Sequence, residues 1–222
     1  MSICRRNVLG GIGASLLIEP ASAQVGAPSD DMVLGAVGAP AELMVYSSAS
    51  CSHCRDFHNE VWPRLKANYI DRGLLRFVFR EAGAPNPEFS AAAFQLARCG
   101  AAGAVTYFQR ITEIFASGAD LIQFDPIIIV SGKVTGGALN LGPLIELGER
   151  FGLTAEQIEV CWQGRAGVER AERLLRIEPW RFQVTGFPTL ILNDRMLDLR
   201  DGEIFTFGGL ARAIDVAVQT SQ

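Results

Sequence analysis

The stretch whose residue types and spacing can do chemistry is Cys51-Ser52-His53-Cys54. It follows a run of β-formers and opens a helical pattern. A Cys-x-x-Cys at a helix start places its first thiol beside unpaired backbone N–H donors, at the positive end of the helix dipole. Both favour the thiolate, the species that attacks disulfides and binds metals, and an imidazole at His53 is a third stabiliser. Taken alone, the pair is open to three uses: a redox couple, a structural bridge or part of a metal clip.

The metal reading has too few ligands. Cys51, Cys54 and His58 give Cys-x-x-Cys-x-x-x-His, but a structural zinc site takes four ligands and no second group follows. The chain has only two histidines, His53 and His58. No metal is expected, and His58 reads as packed on its helix or at a groove rim. No phosphate-binding glycine loop, Ser-His-Asp set or paired carboxylates stand out. Gly10-Gly11-Ile12-Gly13 has no strand before it and is no nucleotide fingerprint. No cofactor is therefore expected.

Composition narrows the class. The 222 residues are 49% hydrophobic with a net charge of −4, enough for one good core. No basic, aromatic-rich patch supports nucleic-acid binding. At the N-terminus, Arg5-Arg6 precedes an apolar stretch over 8–18 and then Ala21-Ser22-Ala23. A positive start, a short apolar segment and an A-x-A site make a secretory signal over 1–23, too short to span a bilayer. The arginine pair resembles a twin-arginine signal, and either export route stays open. Cleavage after Ala23 removes Cys4 and leaves Cys51, Cys54, Cys99 and Cys161. Four cysteines in an oxidising compartment permit three pairings.

The elements that must position the pair can be read from periodicity. Residues 24–31 are small and polar, a flexible lead. A short edge strand is expected at 32–34 and a strand at 42–47. A helix over 52–71 follows, with Phe57, Val61, Leu65 and Tyr69 on one stripe, a kink at Pro63 and an end at Gly73. A strand over 74–80 completes a βαβ unit whose two long strands should be parallel.

Pro85 and Pro87 break the pattern. The region to about 184 reads as helices, at 89–99, 105–115, 139–151, from Thr154 through Cys161, and at 167–181, with a possible strand only at 127–130. Thr154 and Gln157 form a capping box. The arginines and glutamates of 167–181 read as a solvated face. Trp62, Trp162 and Trp180 read as core or interface residues. After Gly186-Phe187-Pro188 come strands at 189–192 and 196–199 about an Asn193-Asp194 turn. A closing helix over 207–218 follows, with Leu210, Ile214 and Val218 on one stripe. The frame is thus βαβ then ββα, split by a helical insert.

Several local motifs together carry a resemblance. They are Leu34-Gly35, Val45-Tyr46-Ser47, Cys51-Ser52-His53-Cys54, Phe57-His58, Trp62-Pro63, Arg76-Phe77-Val78-Phe79-Arg80-Glu81, Leu96-Ala97-Arg98-Cys99 and Val184-Thr185-Gly186-Phe187-Pro188-Thr189. With an export signal and this frame, the chain resembles the thioredoxin superfamily. Within it, the chain looks like the DsbA-like thiol:disulfide oxidoreductases of bacterial periplasms, in the branch common in alpha-proteobacteria.

The resemblance implies an α/β thioredoxin fold, a central mixed sheet flanked by helices, formed by 32–84 and 185–220, with a helical insertion over 85–184. It implies that Cys51 is the exposed nucleophile, Cys54 its buried resolving partner and Pro188 a cis-proline facing them. The backbone of Gly186 and Phe187 would then receive substrate. Family members that are strong oxidants often carry Pro-His between the cysteines. Here Ser52 replaces the proline, which leaves the redox potential open, while His53 is the residue expected to set the direction of electron flow. Cys99 and Cys161 each lie on an apolar helix. They are either two buried thiols or a structural disulfide of the kind found in that branch, and the disulfide is the favoured reading.

The function implied is a periplasmic dithiol oxidase acting on reduced exported polypeptides. A DsbB-like membrane reoxidase would be a transient partner. The rivals are a disulfide isomerase or reductase of the same superfamily and a non-catalytic binding or chaperone module on the same frame.

Overall fold

The computed structural model describes residues 31–221 except 101, 132, 177–183 and 199. The signal over 1–23, the lead over 24–30 and Trp180 lie outside the described residues. Asp31, expected to belong to the flexible lead, is instead held by Arg80, whose Nε donates to Asp31 Oδ1 at 2.7 Å.

The frame is a five-stranded mixed sheet. β1 (Met32–Leu34), β2 (Ala41–Ser48), β3 (Leu75–Ala82), β8 (Thr189–Leu192) and β9 (Arg195–Met196) lie in the order β1-β3-β2-β8-β9. β2 and β3 are parallel, with Leu43 opposite Phe77 and Val45 opposite Phe79. β8 runs antiparallel to β2, and β1 antiparallel to β3. Leu43, Val45, Leu75, Phe77 and Phe79 are all fully buried, as central strands covered on both faces must be. The βαβ–ββα frame stands as expected, except that the last strand is shorter. β9 covers only Arg195–Met196, and Leu199 lies outside the described residues.

The helix after β2 is continuous from Ser52 to Ile70 but not uniform. α1 (Ser52–Asp56) passes into a π turn (Phe57–Val61), then α2 (Trp62–Leu65) and a second π turn (Lys66–Ile70). Pro63 sits at the start of α2, where the wide turn before it tolerates the missing N–H. Where a single kink was expected at Pro63, the helix carries a wide turn on either side of α2. Gly73, at φ +71°, ends the element, a conformation other residues resist. Phe57, Val61, Leu65 and Tyr69 all face the core.

Among the described residues between β3 and β8 are five α-helices: α3 (Pro87–Arg98), α4 (Ala104–Ser117), α5 (Gly142–Arg150), α6 (Ala155–Gln163) and α7 (Arg165–Arg176). Asn86 caps α3 through Phe89 N–H, and Thr154 with Gln157 forms the expected capping box on α6. Three details differ from the sequence reading. A helix was expected from 139, but Leu139–Asn140 forms β7 against β4 (Gln123–Phe124), and α5 starts only where Pro143 can occupy a helix first turn. The possible strand at 127–130 is real, as β5 (Ile128–Val130), but it has an unexpected partner, β6 (Lys133–Thr135). Finally, the helix expected over 167–181 begins earlier, at Arg165. It is only partly a solvated face, because Arg170 Nη1 donates to Gln95 Oε1 at 3.2 Å and Gly167 packs so tightly on Gln95 and Cys161 that a Cβ would collide with both.

A buried ion pair joins the insert to the sheet. Glu81 at the end of β3 accepts from Arg98 Nε on α3 and from the Tyr107 hydroxyl on α4, both at 2.7 Å. Satisfying both carboxylate partners is what makes burial of that charge tolerable. The chain closes with α8 (Phe207–Thr220), whose Leu210 and Ile214 are fully buried and whose Val218 packs against the core.

Candidate active site

β2 ends at Ser48 and releases the chain toward α1. Cys51 is the residue before that helix, extended at φ −93° and ψ 124°, and its carbonyl accepts the first helical bond from Arg55 N–H at 3.0 Å. Cys51 is half-buried and Cys54, three residues on, is fully buried. The asymmetry follows from the helix: Cys54 faces the sheet, while Cys51 remains at the helix mouth.

Their acidities separate accordingly. The Cys51 thiol is lowered to about 6 from an ordinary 9.0. A hydrogen bond from the Cys54 thiol contributes most, against an opposing cost of burial. The backbone N–H groups of Cys54 and His53 add to the lowering, and the His53 charge adds least. Cys54 is pushed well above its ordinary value, first by burial and then by donating to Cys51. The Ser48 backbone N–H, 3.4 Å from Cys54 Sγ, works against that rise. The result is one thiolate and one thiol within a single turn.

Facing Cys51 is the loop that enters β8. The Phe187–Pro188 peptide is cis, and Cys51 Sγ lies 3.5 Å from the Phe187 carbonyl oxygen, to which it donates when it carries its proton. The Thr189 hydroxyl closes the loop on Gly186 O at 2.6 Å, and Thr189 is itself paired with Tyr46 of β2. Adjacent central strands thus deliver both the cysteine pair and the facing loop. Cys51, Cys54, Gly186, Phe187 and Pro188 are brought together.

The side chains of Ser52 and His53 face solvent. His53 is expected from the motif to control the pair, but its charge is the smallest of the contributions to the Cys51 thiolate, while its backbone N–H adds separately. Beside Cys51 a depression of about 100 Å³ is lined by Ser52, Arg55, Ile114, Phe115 and Ile122 among others.

His58 is not at a rim. It is buried one turn after Cys54 and stacks on Phe115 with centroids 4.1 Å apart, and neither ring nitrogen has a hydrogen-bond partner. Burial pushes it down to about 3, so it is a neutral ring. Among the described residues no group of three or more His, Cys, Asp or Glu could hold a metal ion.

Cys99 closes α3 and Cys161 lies on α6. Their Cα atoms are 5.6 Å apart and their sulfurs are joined. Cys51 and Cys54 are both free thiols.

The sequence reading missed a set of serines behind the pair. Ser48, Ser50 and Ser90 bring their hydroxyls to within 2.9 to 3.1 Å of one another. The first two are adjacent to the motif in sequence, but Ser90 lies on α3 and carries no sequence signal of its own.

A family model described as thioredoxin matches residues 28–206. A protein of Rickettsia bellii, provisionally named a protein-disulfide oxidoreductase, is 25% identical over 193 residues, 87% of this chain and 66% of the relative. The chain thus spans just under two thirds of that relative's length. Among solved structures, Wolbachia pipientis alpha-DsbA1 superposes with a TM-score of 0.67 at 20% identity, covering 86% of this chain and 92% of that one. A protein-disulfide isomerase from Novosphingobium aromaticivorans gives 0.63 at 14% identity, covering 85% and 97%. Both structural likenesses speak to the fold.

Proposed function

Because the chain belongs to the thioredoxin family and has the fold of DsbA-type proteins, we propose that it is a periplasmic dithiol oxidase, introducing disulfides into exported polypeptides through Cys51 and Cys54. The observation that carries the reading is the division of the pair into a half-exposed thiolate at a helix N-terminus and a buried thiol behind it.

The steps follow from thiolate chemistry. In the oxidised protein Cys51 and Cys54 share a disulfide. A substrate thiolate attacks Cys51 Sγ, forming a mixed disulfide and expelling Cys54, which takes up a proton. A second substrate thiolate attacks the substrate-side sulfur and expels Cys51 as a thiolate. The substrate gains a disulfide, and the pair holds the two electrons. A low Cys51 pKa makes it a good leaving group and stabilises the reduced protein, which makes the disulfide more oxidising. The Phe187 carbonyl, close to Cys51 Sγ, supports pairing with an extended substrate strand over the reacting sulfur. The two electrons would then pass to a membrane reoxidase of the DsbB type.

Export to the periplasm rests on the sequence signal over 1–23. Among the described residues, no helix is long and apolar enough to cross a membrane.

The redox potential of the Cys51–Cys54 pair against glutathione tests the direction. A value toward about −120 mV supports an oxidase, and one near −270 mV overturns that reading in favour of a reductase. The isomerase reading predicts rescue of scrambled disulfides in a substrate by the reduced protein, which an oxidase does not give.

A further inference from the structure

We propose that Ser90, carried by the inserted helix α3, is a positioning residue for the Cys51–Cys54 pair, acting through a closed ring of three hydroxyls with Ser48 and Ser50. The inference rests on the redox reading of that pair and names a residue outside the motif that tunes it.

The geometry defines the ring. Ser90 Oγ donates to Ser50 Oγ at 2.9 Å, the Ser48 and Ser50 oxygens are 3.1 Å apart, and the Ser48 and Ser90 oxygens are 3.0 Å apart. A hydroxyl has one proton and two acceptor lone pairs. With Ser90 donating to Ser50, one arrangement gives every hydroxyl an acceptor: Ser50 donates to Ser48, and Ser48 donates to Ser90. Two backbone donors complete the set, Asn86 N–H to Ser50 Oγ at 2.9 Å and Ser50 N–H to Ser48 Oγ at 3.3 Å. Ser48 and Ser90 are fully buried, where a lone hydroxyl would be costly.

The ring holds the part of the backbone that touches both cysteines. The Ser48 N–H donates to Cys54 Sγ at 3.4 Å, and the Ser48 carbonyl accepts from Cys51 N–H at 3.2 Å. A donor on the Cys54 sulfur makes its S–H a better donor to the Cys51 thiolate, so the three bonds reinforce one another. Because Ser90 belongs to the insert, the helical block sets the geometry of the sulfur pair in the sheet domain. Opening the ring frees Ser48 to shift, weakens its N–H on Cys54 and thereby destabilises the Cys51 thiolate.

The test uses the full mature chain with Ser90→Ala, Ser50→Ala and the double variant. Each is equilibrated with glutathione, where two glutathione thiols reduce the Cys51–Cys54 disulfide and leave as glutathione disulfide. The thiolate absorbance of the reduced protein is titrated in parallel. Each single variant is expected to lower the equilibrium constant for reduction by about three- to tenfold, the weight of one net hydrogen bond, and to move the Cys51 midpoint upward. The double variant is expected to shift no further than the larger single, because the ring is already open. Unchanged equilibrium constants and midpoints, or strictly additive shifts, would reduce Ser90 to a core residue and overturn the proposal, whatever the melting temperature does. Should Ser90→Ala fail to fold, Ser50→Ala alone decides it, since Ser50 is only partly buried. A wild-type pair inert toward glutathione overturns the redox reading itself, and the inference with it.

Discussion

Cys51 Sγ lies 3.5 Å from the carbonyl oxygen of Phe187, a residue 136 positions away, while Cys54 is sealed behind it at 0% exposure. Access and acidity therefore select the same sulfur. A bulky alkylating agent at neutral pH should modify Cys51 of the reduced protein long before Cys54. With a cysteine-containing peptide disulfide, Cys54→Ser should accumulate a mixed disulfide on Cys51, because no second thiol remains to expel the peptide. Cys51→Ser should accumulate none. Intact-mass measurement of the two variants separates these outcomes, and equal trapping by both would contradict the assignment of roles.

The Cys51 thiolate should appear with a midpoint near pH 6, read from thiolate absorbance of the reduced protein. The ranking of causes gives a sharper expectation. Cys54→Ala removes the largest contribution and should raise the midpoint more than His53→Ala, which removes the smallest. The reverse order would restore the imidazole to the controlling role. The linkage sign follows from a folded value near 6 and an ordinary value of 9.0. This stabilisation is fully present above the ordinary value and is lost as pH falls through the folded one. Between pH 6 and 9 the reduced protein should therefore gain stability relative to the oxidised one as pH rises, measured by urea unfolding of both forms.

Cys99 and Cys161 close a loop of sequence separation 62 across α3 and α6. Replacing both by alanine should destabilise the protein by about 2–4 kcal/mol, chiefly through greater freedom of the unfolded chain. The loss should appear as a lower denaturation midpoint with the Cys51 titration unchanged, since neither sulfur touches the redox pair. A shifted Cys51 midpoint in that double variant would mean that the bridge strains the active site.

How much of this was legible in the sequence depends on the range of the interaction. The cysteine pair, its helix and the parallel strands around it follow from local periodicity, and Thr154 with Gln157 announced a cap that is present. The π turns on either side of α2 left no local mark, because Phe57, Val61, Leu65 and Tyr69 keep one buried stripe whether the turns are wide or normal. β5 showed in the sequence, but its partner β6 and the β4–β7 pair did not, because two- and three-residue strands carry too few alternations to register. At the site, Phe187 and Pro188 could be placed only through the family resemblance. Ser90 could not be placed at all, since its partners at Ser48 and Ser50 are some 40 residues away and meet it only once α3 folds back.

His58 offers the cleanest test of what burial alone does. Its ring fills a slot against Phe115, Phe79 and Trp62, and both its nitrogens are buried without partners. The shape of the slot is aromatic, but the polar atoms gain nothing there. His58→Phe keeps the stacking and removes two unsatisfied atoms, so it should stabilise the fold by about 1–3 kcal/mol. The pH dependence provides a second arm. A histidine held near 3 in the fold and at 6.5 in the unfolded chain binds its proton only on unfolding in that range. Wild-type stability should fall as pH drops from 6.5 toward 3, and His58→Phe should flatten that part of the curve. Paired urea titrations at pH 7 and pH 4.5 measure both effects. A variant less stable than wild type at pH 7, with the same acid sensitivity, would mean that the imidazole nitrogens are satisfied in solution.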